Sequence, residues 1–200
     1  MDADFHRTSY DAICEQWHAF RKQTTVPPCL HQFADHIRPG GHILDIGCGM
    51  GFPLDTYLSE CRFSLTGIDL SPKMLQKANA LALPKAKFLL CDVLNFQPTQ
   101  LFDRILAFDS LWHVPLEHQA RLYPLFSGWL RPGGCLLFTH GKCYSSVEGT
   151  MFGSSFRCHA LNAQMVRTLL LQNGFSIEYF AEDVRAASMG QRELLVLAVK

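Results

Sequence analysis

The stretch Leu44-Asp45-Ile46-Gly47-Cys48-Gly49-Met50-Gly51 sets three glycines directly behind an apolar run. Glycine in that position can do chemistry without a side chain. Lacking Cβ, it admits positive φ and lets a ligand approach main-chain N–H groups. The next apolar run ends in Asp69, 18 positions after Gly51. In an open parallel sheet a carboxylate there lies beside the glycine turn and can bind both hydroxyls of a ribose. The glycine spacing narrows the ligand. A dinucleotide fingerprint reads G-x-G-x-x-G and turns a helix N-terminus toward a pyrophosphate. Here the order is G-x-G-x-G, with Asp45 just ahead of it. That acid would repel a pyrophosphate and would suit an ammonium. A ribose-bearing ligand with a positively charged amino-acid tail therefore fits better than NAD. No G-x-x-x-x-G-K-[ST] is present for a nucleoside triphosphate.

The elements that must position these residues alternate along the chain. Tyr10, Ile13, Trp17 and Phe20 recur at helical spacing, predicting a first helix from about Phe5 to Arg21. A second is expected from the Pro27-Pro28 break to about Ile37. Strands are predicted at His42–Ile46, Ser64–Asp69, Lys87–Leu90, Phe102–Phe108, Cys135–Thr139, Phe175–Phe180 and Glu193–Val199. Pro53 suits the first turn of a helix ending near Glu60. Ser71 reads as the N-cap, and Pro72 as the first residue, of a helix to about Leu81. Further helices are expected over Leu116–Leu130 and Leu161–Leu171, with an irregular, lid-like stretch over Gly141–Arg157. Apolar rather than alternating strands interleaved with helices predict an α/β fold. It is a three-layer α/β/α arrangement around a doubly wound, mostly parallel seven-stranded sheet with a C-terminal antiparallel hairpin. Residues 1–200 read as a single domain, with 1–38 as an N-terminal helical cover and 141–157 as a lid insertion.

Composition bounds the function classes. A chain of 200 residues, 48% hydrophobic with 14 Gly and 10 Pro, is an ordinary globular domain and neither disordered nor collagenous. Lys plus Arg and Asp plus Glu are both 18, so the basic excess of a nucleic-acid binder is missing. Apolar runs such as Ile105–Phe108 and Leu194–Val199 fall far short of the roughly 18 residues that span a bilayer. The opening Met1-Asp2-Ala3-Asp4 lacks the basic region of a secretory leader, so a cytoplasmic location is expected. The eight cysteines form no C-x-x-C pair and read as reduced, mostly buried thiols. The nine histidines offer no H-x-x-x-H or Cys/His cluster, and no metal site is expected.

At the glycine turn and Asp69 the chain resembles the class I S-adenosylmethionine-dependent methyltransferases, in particular the small bacterial methyltransferase-domain proteins, over about Tyr10 to Lys200. The resemblance implies S-adenosyl-L-methionine as cofactor, S-adenosyl-L-homocysteine as product and a Rossmann-like fold. It implies that Asp45, Gly47, Cys48 and Gly49 hold the methionine part, that Asp69 takes the ribose hydroxyls and that Leu70 packs under the adenine. Asp92 and Val93 would meet the adenine amine and a ring nitrogen. Phe108, Asp109 and Ser110 would stand beside the methyl-transfer site. Tyr10, Trp17 and Arg21 resemble the helix that covers the cofactor in such proteins.

Displacement at a sulfonium needs alignment and exclusion of water, and a base only where the acceptor carries a proton at neutral pH. His113, in Asp109-Ser110-Leu111-Trp112-His113 just past the fourth strand, is the foremost candidate base; His140 and Tyr144 follow. The Asn/Asp-Pro-Pro-Tyr/Phe of enzymes that methylate base amino groups is replaced here by Asp109-Ser110-Leu111-Trp112. With zero net charge, that argues against a nucleic-acid substrate and for a small-molecule acceptor. The N-terminal helices, Trp112, His113 and the 141–157 stretch would form the acceptor pocket's roof, in a monomer or homodimer with no membrane association. An NAD(P)-dependent oxidoreductase and a catalytically silent cofactor-binding domain are the rival readings.

Overall fold

The computed structural model describes residues 2–35, 40–186 and 190–200. Its strands are β1 (His42–Ile46), β2 (Ser64–Asp69), β3 (Ala86–Leu90), β4 (Phe102–Ala107), β5 (Leu130–His140), β6 (Ser145–Met151), β7 (Ser154–Ala160), β8 (Ser176–Ala186) and β9 (Gly190–Val199). Seven of them form one sheet in the order β3-β2-β1-β4-β5-β9-β8, while β6 and β7 form a separate two-stranded sheet. Strands β1 to β5 pair in parallel, and β9 runs antiparallel to both β5 and β8. The expected C-terminal hairpin is therefore present, with β9 as the antiparallel member.

The helices are α1 (Asp2–Arg21), α2 (Pro28–Ala34), α3 (Leu54–Glu60), α4 (Pro72–Ala80), α5 (Leu116–Gln119), α6 (Leu122–Trp129) and α7 (Ala163–Gln172). Successive strand residues face opposite sides of a sheet, which explains why these strands are apolar throughout. Leu44, Ile46, Ile105, Leu136 and Phe138 pack with Phe126 and Trp129 of α6 and with Val166 and Leu170 of α7. Ile43, Leu65, Leu106 and Leu137 pack with Leu30 and Phe33 of α2 and with Leu54 and Leu58 of α3. This is the three-layer arrangement expected. Asp45 shares the parity of Ile43 and so belongs to the α3 side. A smaller cluster of Cys14, Met50 and Met74, with Tyr10, Trp17 and Phe52 against it, joins α1 to α4 and the glycine turn.

Four local expectations are corrected. The second helix ends at Ala34, and Ile37 lies outside the described residues. The single helix expected over Leu116–Leu130 is two, α5 and α6. Pro124 has no N–H for the Ala120 carbonyl and would crowd it, so the chain restarts at Leu122 and the proline falls in the first turn of α6. The fifth strand begins at Leu130, its pairing jumping from Phe102↔Leu130 to Arg104↔Cys135 so that Pro132 and Gly133 bulge out. The Gly133 N–H donates instead to the carbonyl of Lys200 at 2.8 Å.

The stretch read as irregular, Gly141–Arg157, lies mostly in an antiparallel hairpin of β6 and β7 with Met151 paired to Ser154. Its two-residue loop, Phe152-Gly153, has φ of 50° and 81°. Two consecutive positive φ values are those of a type I′ turn, whose twist matches the flanking strands. The usual Asn-Gly or Asp-Gly signal is replaced by Phe-Gly, so the turn is silent in the sequence.

The core placement gives a direct test. Phe138 is fully buried whereas Leu171 is 58% exposed. Phe138→Ala should cost about 3–5 kcal/mol in urea unfolding, and Leu171→Ala should stay within about 0.5 kcal/mol of the parent. Equal effects would contradict the assigned burial of the two side chains.

Candidate functional site

The strand order reverses at β1, with β2 and β3 to one side and β4 to the other, and a crevice opens beyond the strand ends at such a switch point. A cleft of about 1200 Å³, counted out to its open mouth, lies there. Its floor is the glycine turn. Gly47, Gly49 and Gly51 adopt φ of 74°, 55° and 75°, a region that L side chains rarely enter. Gly47 is constrained twice, because a Cβ there would lie 2.4 Å from the Ser110 Cβ.

Asp69 at the end of β2 holds the turn in place. The Gly49 N–H donates to its Oδ2 and the Ser71 N–H to its Oδ1, each at 2.8 Å. The Gly47 and Cys48 N–H groups donate to the Ile68 carbonyl at 2.8 and 3.1 Å. Burial raises the Asp69 carboxyl above the ordinary range, and the bonds from Ser71 and Gly49 pull it back. Ser71 also caps α4, accepting from the Met74 N–H at 3.1 Å.

Asp45 is 3% exposed and meets a second carboxyl, Asp55 of α3, which is fully buried. Burial pushes Asp45 up to about 7, with a hydrogen bond from Asp55 acting the other way. Asp55 is raised much further by burial and by the Asp45 charge beside it. The two can hydrogen-bond only through a proton, so they titrate as a pair.

Every cofactor residue expected from the resemblance lines this one cleft: Tyr10, Trp17, Arg21, Asp45, Gly47, Cys48, Gly49, Asp69, Leu70, Asp92, Val93, Phe108, Asp109 and Ser110. Several have second duties. Asp92 Oδ1 accepts from the Leu94 N–H at 2.9 Å, and the Ser110 hydroxyl donates to the Ile46 carbonyl at 2.6 Å. Asp109 has φ of 58°. Its carboxylate is gripped by both Nε and Nη2 of Arg192 and accepts from the Thr139 hydroxyl at 3.1 Å. Arg21 lies with its guanidinium 5.7 Å from the Trp17 ring centroid and donates weakly to the Phe52 carbonyl at 3.4 Å.

Helix α1 lines the cleft with Ala3, His6, Tyr10, Trp17 and Arg21. It is latched by Asp11, whose Oδ1 accepts from the Ser71 hydroxyl at 2.6 Å and from the Lys73 N–H at 3.2 Å. Glu15 pairs with Lys77 at 2.8 Å, and the Ser9 hydroxyl donates to the Ser155 carbonyl in the hairpin at 2.7 Å. Asp11, Asp55, Arg192, His6 and Cys91 carry no sequence signal of their place here. Met50 and Gly51 do, because they fall within the glycine motif.

The candidate bases separate. His113 lines the cleft, but its imidazole is engaged on both sides. Its Nδ1 lies 3.1 Å from the Arg157 carbonyl, its Nε2 is 2.8 Å from the Tyr10 hydroxyl, and the Trp112 indole N–H donates to Nε2 at 3.2 Å. An indole can only donate, so Nε2 bears the lone pair and Nδ1 the hydrogen. Burial pushes the ring down to about 3, with His6 adding to it. His113 is thus a neutral acceptor that fixes Tyr10, and it does not stand as a free base.

The geometry corrects the other two candidates. His140 is 2% exposed, stands outside the cleft lining and is wedged between the carbonyl of Gly141 at 2.8 Å and Gln119 Oε1 at 3.1 Å. Gln119 in turn donates to the Val114 and His159 carbonyls at 3.0 and 2.8 Å, so His140 belongs to the frame beneath the hairpin. Tyr144 is 61% exposed and also lies outside the cleft lining. Among the described residues no group of three His, Cys, Asp or Glu could hold a metal ion. No helix there is long and apolar enough to cross a membrane. All eight cysteines are free thiols.

Comparison with known proteins agrees with the geometry. Residues 43–134 match a family described as a methyltransferase domain. Trans-aconitate 2-methyltransferase of Escherichia coli is 38% identical over 122 residues, covering 54% of this chain and 46% of that protein, so the chain spans under half its length. Magnesium protoporphyrin IX methyltransferase of Synechocystis, solved with S-adenosylmethionine bound, superposes with a TM-score of 0.76 at 19% identity, over 100% of this chain and 97% of that one. An S-adenosylmethionine-dependent methyltransferase of Methanosarcina mazei superposes with a TM-score of 0.70 at 21% identity, over 88% and 98%.

The state of His113 can be measured. Nitrogen shifts of its ring should report a neutral, Nδ1-protonated imidazole down to about pH 5. Titration near 6.5 would refute the assignment. The sign for stability follows from a folded value of about 3 against 6.5 for the free ring. The unfolded chain takes up the proton first, so stability should fall as pH drops below 6.5 and go on falling toward 3. His113→Asn should flatten that limb.

Proposed function

We propose that this chain, whose sheet order, glycine turn and 43–134 segment are those of a class I S-adenosylmethionine-dependent methyltransferase, binds S-adenosyl-L-methionine and transfers its methyl group to a small-molecule acceptor. The observation that carries the reading is the Asp69 carboxylate. It is pinned by the Gly49 and Ser71 N–H groups at the lip of the glycine turn, within the cleft lining. Its remaining lone pairs suit the two hydroxyls of a ribose. The buried acid Asp45 suits the ammonium of the amino-acid tail, Arg21 at the mouth suits its carboxylate, and Asp92 suits an exocyclic amine of the base.

When bound, the cofactor supplies a methyl on a positively charged sulfur that a nucleophile can displace directly. The chain's own task is then to align the acceptor and exclude water. Phe108, Leu111 and Val114 give the cleft an apolar wall, and α1, which packs against β7 of the hairpin, covers it. Tyr10, its hydroxyl fixed on His113, is the polar group set to orient an acceptor. With the His113 lone pair engaged, the reading favours an acceptor that reacts without deprotonation, such as a thiolate or a neutral amine. The named relatives act on trans-aconitate and on magnesium protoporphyrin IX. Both are small molecules but chemically unlike each other, so the acceptor's class is left open. The zero net charge favours a small molecule over nucleic acid, and the free thiols favour a cytoplasmic setting.

Calorimetry should detect S-adenosylmethionine and S-adenosylhomocysteine but neither NAD nor ATP. Charge-assisted hydrogen bonds are worth about 1.5–3 kcal/mol each, so Asp69→Ala should weaken binding at least about tenfold without altering circular dichroism. Binding of NAD without either sulfur ligand would overturn the reading in favour of an oxidoreductase. An unchanged affinity in Asp69→Ala would reduce that carboxylate to a turn residue.

A further inference from the structure

Asp55 is fully buried in the first turn of α3. Neither of its oxygens meets a donor from the rest of the chain. It lies directly beneath the glycine turn, where a Cβ on Gly51 would stand 3.5 Å from its Oδ2. The carboxyl of Asp45, which is 3% exposed and forms part of the cleft wall, lies beside it and acts on it through its charge and a shared hydrogen bond. A carboxylate shut away from water and from every donor is strongly disfavoured, and so are two adjacent carboxylates. One proton must therefore reside between them, and the deeper group, with no access to the cleft, is the one to keep it.

We propose that Asp55 is a positioning residue for the ammonium group of the cofactor: it stands behind Asp45 as a neutral acid and donates its hydrogen to the Asp45 carboxylate, which receives the ammonium. The inference rests on the cofactor reading above and extends it to a residue outside the cleft lining. The pair then carries one negative charge opposite one positive charge. Without the donor, Asp45 would hold that charge in a buried place with only Arg21 to support it, and would more readily take up a proton.

The other charged groups facing the pair act in both directions. Asp69 on β2 opposes a charge on Asp45, and Arg21 on α1 supports it. The Cys48 thiol, pushed far up by burial and by the three carboxyls, stays uncharged. The balance leaves Asp45 titrating near 7 in the free protein. Since the ammonium needs the ionised form, affinity should rise with pH through that value and level off above it. Binding on the acid side should release a proton.

S-adenosylhomocysteine is the probe, titrated by calorimetry between about pH 5.5 and 7.5 in buffers of different ionisation enthalpy. Across that window its amino group remains charged. The parent should gain roughly twenty- to thirtyfold in affinity and release a proton at the acid end. Asp55→Asn keeps a donor toward Asp45 and should keep both affinity and profile. Asp55→Leu should bind about tenfold more weakly at pH 7, with its profile displaced upward, and Asp45→Asn should lose most of the pH dependence. The analogue lacking the amino group serves as the fold control, because it should bind parent and Asp55→Leu alike at every pH.

A pH-independent affinity in the parent, equal binding by Asp55→Leu and parent, or failure of Asn to replace Asp would each overturn the proposal. No binding of S-adenosylhomocysteine to the parent at any pH would instead overturn the cofactor reading on which it stands.

Discussion

A carboxylate at the tip of β2 holds the turn that follows β1, and the cleft is built outward from that grip. Gly47, Gly49 and Gly51 can enter positive φ only because they lack side chains, which also leaves them nothing of their own to hold on with. Asp69 supplies the hold by accepting the Gly49 N–H, while its other oxygen fixes Ser71. Ser71 in turn caps α4 and donates to Asp11 of α1. One acid thereby ties a strand end, a backbone turn, a helix start and the covering helix into one piece. The close approach of the layers depends on the same region. A Cβ on Gly67 of β2 would fall 2.6 Å from Phe88 and 2.7 Å from the Cys48 sulfur, so β2 can lie against the turn only as glycine there.

What the sequence discloses follows from how local each signal is. The glycine turn, Asp69 and the Ser71-Pro72 helix start are written within a few residues of where they act. The sheet, too, is written locally, as apolar runs buried on both faces. The hairpin of β6 and β7 is hidden because its turn residues are Phe152-Gly153 and because its strands expose Ser, Glu and Thr. The break between α5 and α6 is legible in retrospect from Pro124, whose missing N–H matters only once the helix register is known. Asp11 and Arg192 come from distant parts of the chain to hold Ser71 and Asp109, and Asp55 lies beneath Gly51; tertiary packing makes these contacts and no spacing records them. His113 shows the opposite failure. Its type and place suit a base, but Tyr10, Trp112 and the Arg157 carbonyl, which fix its tautomer, come from α1, the neighbouring residue and β7.

The buried polar groups around the cleft are handled in two ways. Gln119, 1% exposed, uses its whole amide. It donates to Val114 and His159 and accepts from the Leu161 N–H at 3.2 Å. A fully satisfied network of this kind rigidifies its surroundings, and here it seats the base of the hairpin against the end of β5. The carboxyls of Asp45 and Asp55 are left without such partners from the frame. The Gln119 network thus supports the cleft from behind, while Asp45 faces its wall, where a ligand can complete it, with Asp55 beneath.

The ion pair of Asp109 with Arg192 has an evolutionary corollary. Asp109 sits at φ 58°, a conformation that costs a residue with a side chain of order 1 kcal/mol or more. The grip of Arg192 and the bond to Thr139 offset that cost. Glycine at 109 would be relaxed but would give Arg192 nothing to hold, and loss of Arg192 alone would leave a strained residue with its main anchor gone. The two positions are therefore a single unit of selection, although one closes β4 and the other belongs to the last strand. Drift at either should be tolerated only when the other changes with it. Because β9 thus has a stake in the cleft, the C-terminal strand is bound to the lineage of the glycine turn as firmly as to that of the sheet.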